Sequence, residues 1–184
     1  MRERTEETKE SLAGSLLLAH PTLRDANFRR TVILMTADNA EGSMGVVLNR
    51  PWQKRLGEVS GDFALGPLAG VPVFRGGPVQ TEQLLLAAWQ VRSHGFQLHL
   101  GLDPERATSL LAEDGVQLRA FFGYAGWSAG QLQNELKHQS WVVADAPTDL
   151  FTQPGDITLW RKTLSLEGAE WRVLAEEPDE PEVN

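Results

Sequence analysis

The chain has 184 residues, of which 41% are hydrophobic; it carries a net charge of −8 and contains no cysteine. That length and apolar content suit one domain with its own core. The missing thiols exclude disulfides, thiolate metal sites and cysteine nucleophiles.

The charge is uneven. Residues 12–94 hold eight Lys or Arg against six Asp or Glu, whereas residues 95–184 hold six against fifteen. An acidic chain repels DNA, so direct nucleic-acid binding is not expected, although the first half keeps room for a local basic patch. No stretch nears the ~20 apolar residues of a membrane span, and the charged start of the chain lacks the apolar run of a secretory signal. These features predict a soluble, cytoplasmic protein.

In chain order, Met1–Ser11 reads as a polar tail, residues 12–175 as one folded body, and Glu176–Asn184 as an acidic tail with two prolines. Leu16–Ala19 reads as a buried strand halted by Pro21. Thr31–Thr36 and Met44–Asn49 read as two strands of a hairpin turning through Asp38, Asn39 and Gly42, with Arg50-Pro51 ending the second. Gln53–Val59 predicts a short helical turn. Pro72–Phe74 predicts a brief strand, and the Gly76-Gly77-Pro78 turn is expected to fold the next strand, Gln83–Trp89, back upon it. Asp103 and Pro104 supply the cap and first position of a helix with Leu110 and Leu111 inward, stopped by Gly115.

Val116–Phe122 reads as a strand. The run Gly123–Leu132 (GYAGWSAGQL) reads as a constrained strand-turn-helix junction, with Ser128 opening a helix and Gln131 completing a capping box. Trp141–Ala144 predicts a strand. Asp156 caps a helix carrying Ile157, Trp160 and Leu164, and Trp171–Leu174 reads as a last strand. Hairpins first and helices later favour α+β over a βαβ repeat.

Several motifs bear on chemistry. Gly126-Trp127-Ser128-Ala129-Gly130 matches the G-x-S-x-G of a hydrolase elbow, but the sole downstream histidine, His138, is ten residues on along the same expected helix, so no triad follows. The same glycines lack dinucleotide or Walker spacing, which leaves a small-anion site or a packing turn. Arg75-Gly76-Gly77-Pro78 offers a cation beside free backbone N–H groups. Asn49-Arg50-Pro51 puts an amide and a guanidinium at a strand end. In Asp25–Arg30 (DANFRR), one arginine is expected to pair locally and Phe28 to pack. Without cysteines or a clustered histidine motif, no metal site or cofactor is expected.

Four runs taken together, Gly14–Arg30 (GSLLLAHPTLRDANFRR), Gly45–Pro51 (GVVLNRP), Gly76–Val79 (GGPV) and Gly123–Leu132, resemble in order and spacing the bacterial AlgH/YqgE family. The resemblance implies a single α+β domain with a bent, mostly antiparallel sheet forming a pseudo-barrel flanked by helices. It carries a family label of transcriptional regulator but brings no agreed catalytic residues. The chain departs from the family pattern in two places: Ser128 stands where glycine is frequent, and Ala88-Trp89 where leucine-histidine is frequent.

The combined expectation is a non-catalytic binding or regulatory protein, monomeric or homodimeric. Its groove, for a protein partner or small anionic ligand, is built from Asn49, Arg50, Arg75, Gly76, Gly77, Pro78, Tyr124, Trp127 and Gln131. The competing readings are an enzyme on a small anionic substrate, with arginine clamps but no general base, and a DNA-contacting regulator.

Overall fold

The computed structural model describes residues 10–178. Most of the two expected tails lies outside the described residues. Where the first tail ends, Ser11 Oγ donates to the Asp38 carbonyl and the Leu12 N–H to the Asp38 carboxylate at 2.9 Å.

The domain is α+β, with nine strands in one mixed sheet curled into a half-barrel and five helices around it. The strands are β1 (Leu16–Ala19), β2 (Val32–Asn39), β3 (Gly42–Val47), β4 (Pro51–Arg55), β5 (Pro72–Arg75), β6 (Val79–Val91), β7 (Phe96–Leu100), β8 (Val116–Ser128) and β9 (Trp141–Ala144). The helices are α1 (Leu56–Val59), α2 (Pro104–Leu111), α3 (Gln131–Lys137), α4 (Ile157–Leu166) and α5 (Ala169–Ala175). The main path runs β4-β5-β8-β3-β2-β1-β9, with β6 also on β8 and β7 on β6. Every pairing is antiparallel except β5 with β8.

Alternation along the strands assigns the core. Leu16 and Leu18 of β1 face the main cluster with Trp89, Phe121 and Trp160, whereas Leu17 and Ala19 face the opposite side with Trp127, Leu132 and Trp141. This is why β1 reads as a continuous apolar run: it lies between β2 and β9 with both faces covered. A third cluster, around Leu86, Ala88, Ala120 and Leu110, packs α2 against β6 and β8. Asp103 caps α2 as expected, accepting from the Arg106 N–H at 2.7 Å, and Leu110 is buried, but Leu111 points outward. Asp156 likewise caps α4, accepting from the Thr158 N–H at 2.9 Å.

Four local expectations are corrected. The Gly-Gly-Pro turn closes no hairpin, because β8 lies between β5 and β6 and pairs with both. The glycine-aromatic run is strand through Ser128, and α3 starts only at Gln131 with Gly130 as its left-handed cap. Ser128 keeps one half of the expected box, its N–H donating to Gln131 Oε1 at 3.1 Å. Pro51 opens a strand, β4, so the expected helical turn shrinks to α1; β4 ends the sheet path, where a missing N–H costs no ladder bond. Residues 171–174 belong to α5, where Trp171 packs on the main core beside α4.

Both glycine motifs serve one backbone crossing. Gly76 N–H donates to the Phe122 carbonyl at 2.7 Å, and the Gly76 carbonyl accepts from Val47 N–H at 2.8 Å. A Cβ on Gly76 would stand 2.2 Å from the Gly123 carbonyl oxygen, and one on Gly77 2.2 Å from that of Tyr124. Reciprocally, a Cβ on Gly123 would meet the Gly77 oxygen at 2.4 Å. Glycines occupy these positions because two backbones touch there.

Candidate functional site

The crossing delivers several polar side chains to one cleft. At the end of β3, Asn49 is only 2% exposed. Its Oδ1 accepts from Val32 N–H at 2.9 Å and its Nδ2 donates to the Arg30 carbonyl at 2.8 Å. Asn49 thus ties β3 to the start of β2 and holds Arg30 in its left-handed conformation, φ 53°. It is a fastening, not a ligand group.

The next residue, Arg50, emerges half-buried at the rim, with a guanidinium N–H on the Arg29 carbonyl. Its own carbonyl accepts from Arg75 N–H at 2.8 Å, which places the two arginines side by side in the fold. The Arg75 guanidinium lies 4.8 Å from the centroid of the Trp52 indole, and Lys54 Nζ lies 5.7 Å from the same ring. Trp52 is braced edge-on by Phe122 at 5.8 Å. Each such cation–π contact is worth about 0.5–1 kcal/mol at an exposed position, enough to bias the rotamers of Trp52 and Arg75.

Arg50, Trp52, Arg75 and Phe122 line a cleft of about 420 Å³, together with Ala26, Asn27, Val47, Gly77, Pro78, Thr81 and Glu82. Asn27 reaches the rim because the Asp25 carboxylate accepts from the N–H groups of Asn27 and Phe28 at 2.9 and 3.2 Å, closing a tight turn. Arg75 and Glu82 are solvent-exposed, and neither side chain has a hydrogen-bond or ion-pair partner among the described residues.

Four of the residues named from the sequence, Arg50, Arg75, Gly77 and Pro78, therefore meet in one cleft, with Gly76 buried behind it. The other four take different places. Asn49 is internal. Tyr124 and Trp127 border a separate shallow depression of about 460 Å³ with Gly42, Ser43 and Met44. Trp127 is 6% exposed and its indole N–H donates to Glu135 Oε2 at 2.9 Å, the same oxygen that accepts from Trp141 at 2.7 Å. Gln131 secures the entry to α3, accepting from Ser128 and donating to Glu135 Oε1 at 3.0 Å. The single groove expected from the sequence is thus divided in two, because Trp127 turns inward to the α3 carboxylate.

Ser128 Oγ sits 3.3 Å from Gln131 Oε1, and His138 Nδ1 is engaged by the Asn134 carbonyl at 2.7 Å, so the two do not form a nucleophile–base pair. Among the described residues no group of three His, Asp or Glu is placed to hold a metal ion. In Asp25–Arg30, Phe28 packs as expected, edge-on to Trp141 at 5.8 Å, and the Arg30 guanidinium lies 5.0 Å over the Trp160 ring.

The sequence reading missed Trp52, Asn27, Thr81 and Glu82. An aromatic after Pro51 between a guanidinium and a lysine was a usable signal for Trp52. Nothing local marks Glu82, whose place depends on where β6 starts.

A family model described as AlgH-like matches residues 16–172. A UPF0301 protein of Streptomyces coelicolor is 39% identical over 191 residues, covering 95% of this chain and 96% of that protein. A UPF0301 protein of Chlorobaculum tepidum is 37% identical, covering 93% and 95%. Among solved structures, a protein from Corynebacterium diphtheriae superposes with a TM-score of 0.73 at 22% identity, over 96% of this chain and 95% of that one, a likeness of fold. The AlgH protein from Pseudomonas aeruginosa superposes with a TM-score of 0.64 at 27% identity, over 97% and 99%. The chain belongs to the AlgH-like family.

Proposed function

We propose that this protein is a binding module with a regulatory role, acting through the Arg50–Arg75 cleft on a small anionic ligand and without bond-making chemistry of its own. The observation that carries the reading is Arg75: an exposed guanidinium aimed over Trp52 with no hydrogen-bond or ion-pair partner among the described residues, in a cleft shared with a second arginine. Guanidinium forks match carboxylate and phosphate oxygens in pairs, and a cleft of about 420 Å³ is the size of a small-molecule site. Three of the four runs that carried the family resemblance border it. Duplex DNA is not the ligand in this reading, given a net charge of −8. In this reading it acts in the cytoplasm; among the described residues no helix is long and apolar enough to cross a membrane.

The enzyme reading gains one observation: Glu82 supplies a carboxylate in the cleft. It is exposed and nothing holds it in place, which suits a ligand contact better than a positioned base.

Thermal unfolding in a panel of phosphates and carboxylates tests the proposal. Ligands that fill the cleft raise the midpoint by mass action in the wild type and not in an Arg50→Gln, Arg75→Gln variant. No midpoint shift with any anion at millimolar concentration refutes it.

A further inference from the structure

We propose that the ligand of this cleft is a nucleoside monophosphate; this rests on the reading above and adds the ligand class. Three features of the lining converge on it. First, two guanidiniums reach the rim, chemistry suited to a phosphate group. Second, one wall is aromatic: Trp52, braced edge-on by Phe122 and carrying Arg75 4.8 Å from its ring centroid, offers an indole of the kind on which bases stack once the guanidinium turns to the phosphate. An inorganic anion would leave that wall and most of about 420 Å³ unused. Third, Glu82 lines the same cleft without a hydrogen-bond or ion-pair partner among the described residues. A carboxylate repels a bare anion, so its presence beside two arginines selects a ligand that also brings donors. A ribose diol is such a group, and an acidic residue reading ribose hydroxyls is established chemistry in nucleotide sites.

Each smaller class leaves one feature unanswered. A sugar phosphate has no ring for Trp52. An aryl phosphate has no donors for Glu82. A volume near the lower end of the small-molecule range, about 300–1,000 Å³, fits one nucleotide and not a strand.

Calorimetric titration of the full chain with adenosine 5′-monophosphate, ribose 5-phosphate, phenyl phosphate and inorganic phosphate, at one ionic strength, tests the inference. The monophosphate nucleoside is expected to bind at least about 10-fold tighter than ribose 5-phosphate, the difference being stacking. Trp52→Leu removes that advantage while leaving ribose 5-phosphate bound, which also shows that the variant is folded. Glu82→Ala weakens the nucleotide about 10-fold and leaves phenyl phosphate unchanged or tighter. Arg75→Gln weakens all four. Equal affinity for the four probes overturns the nucleotide assignment and leaves the anion cleft standing. Nucleotide binding that survives Arg75→Gln unchanged overturns it as well, since the ligand then sits elsewhere. No heat with any probe at millimolar concentration overturns both.

Discussion

Replacing Gly77 by alanine tests whether the two glycine runs exist for a backbone crossing. The added Cβ would stand 2.2 Å from both the carbonyl carbon and oxygen of Tyr124 and 2.6 Å from Ala125 N. None of these atoms can rotate away, so β8 and the β5–β6 connection must separate. Gly77 also has φ 152°, a region that L-residues rarely adopt. Backbone strain of about 1–3 kcal/mol, overpacking of about 1–3 kcal/mol and weakening of the neighbouring Gly76–Phe122 hydrogen bond, about 1 kcal/mol, together give a loss of roughly 3–7 kcal/mol. That is a large part of the 5–15 kcal/mol that stabilises a typical domain, and it corresponds to a fall in Tm of about 6–28 °C for a chain of this size. Two alanine controls separate contact from conformation. At Gly126 the nearest atom to a new Cβ is Tyr124 Cε2 at 3.4 Å, an ordinary contact, and the change should stay within about 1 kcal/mol. At Gly130 there is nothing within 4 Å but φ is 79°, so only left-handed strain of about 1–2 kcal/mol is added. Urea unfolding followed by circular dichroism ranks the three. A Gly77→Ala protein as stable as Gly126→Ala would refute the crossing as the reason for these glycines.

The same unfolding assay checks the other expectations. Glu135→Ala strands two indole N–H groups, those of Trp127 and Trp141, and should cost about 2–4 kcal/mol; Glu135→Gln, which keeps an acceptor, should cost clearly less. Trp127→Ala should cost about 3–5 kcal/mol as a core deletion while leaving anion binding by the folded fraction intact, in contrast to Arg75→Gln. His20 is held below its ordinary pKa by burial, packed edge-on to Trp171 at 5.4 Å. The unfolded state therefore takes up the proton first, and the stability His20 contributes is present above its ordinary value of 6.5 and is lost as pH falls through the lower folded value. A His20→Gln protein should show a flatter stability profile between pH 7 and pH 5 than the wild type, read by urea midpoints across that range.

The strands were legible because burial on both faces or on one leaves a pattern in the residues themselves. Leu16–Ala19, Thr31–Thr36 and Trp141–Ala144 carry it, and the structure places strands there. Caps were legible for the same reason: Asp103 and Asp156 act on backbone N–H groups two or three residues away. What failed was pairing and its consequences. Gly76-Gly77-Pro78 has the composition of a hairpin turn, but β8, some forty residues on, inserts between the flanking strands. No local signal records that. Gly123–Leu132 read as a strand-turn-helix junction with the helix opening at Ser128, because three glycines suppress strand propensity. They are tolerated in β8 because the crossing needs a backbone without Cβ atoms. Trp171 has a strand-like setting in sequence and is drawn into α5 by packing on the main core. The cleft divides along the same line: residues adjacent to the β3 and β5 ends were found, and those brought in by β4, the loop before β2 and the start of β6 were not.

Arg119 shows how the fold supports the cleft from behind. It follows Leu118 in β8 and is 6% exposed, with Nη2 donating to the Phe151 and Gln153 carbonyls at 3.0 and 2.9 Å. Its guanidinium lies 4.7 Å from the Phe74 ring and 4.8 Å from that of Phe151. Burial without a carboxylate holds its pKa down at about 10 from an ordinary 12.5, a handicap of about 3 kcal/mol that the two carbonyl bonds and two ring contacts must offset. Both carbonyl bonds come from the one nitrogen Nη2, and the flat guanidinium against the two rings anchors the 150–153 turn to Phe74 of β5, one residue before Arg75. Lysine has no planar group for the rings and brings a more strongly hydrated charge. Arg119→Lys should therefore be less stable than Arg119→Met, although it alone keeps the charge. It should also weaken anion binding, because the end of β5 loses its backing. If Arg119→Lys is instead the more stable of the two, or binds phosphate as the wild type does, the 150–153 turn does not hold β5 in place and Arg75 is positioned by the glycine crossing alone.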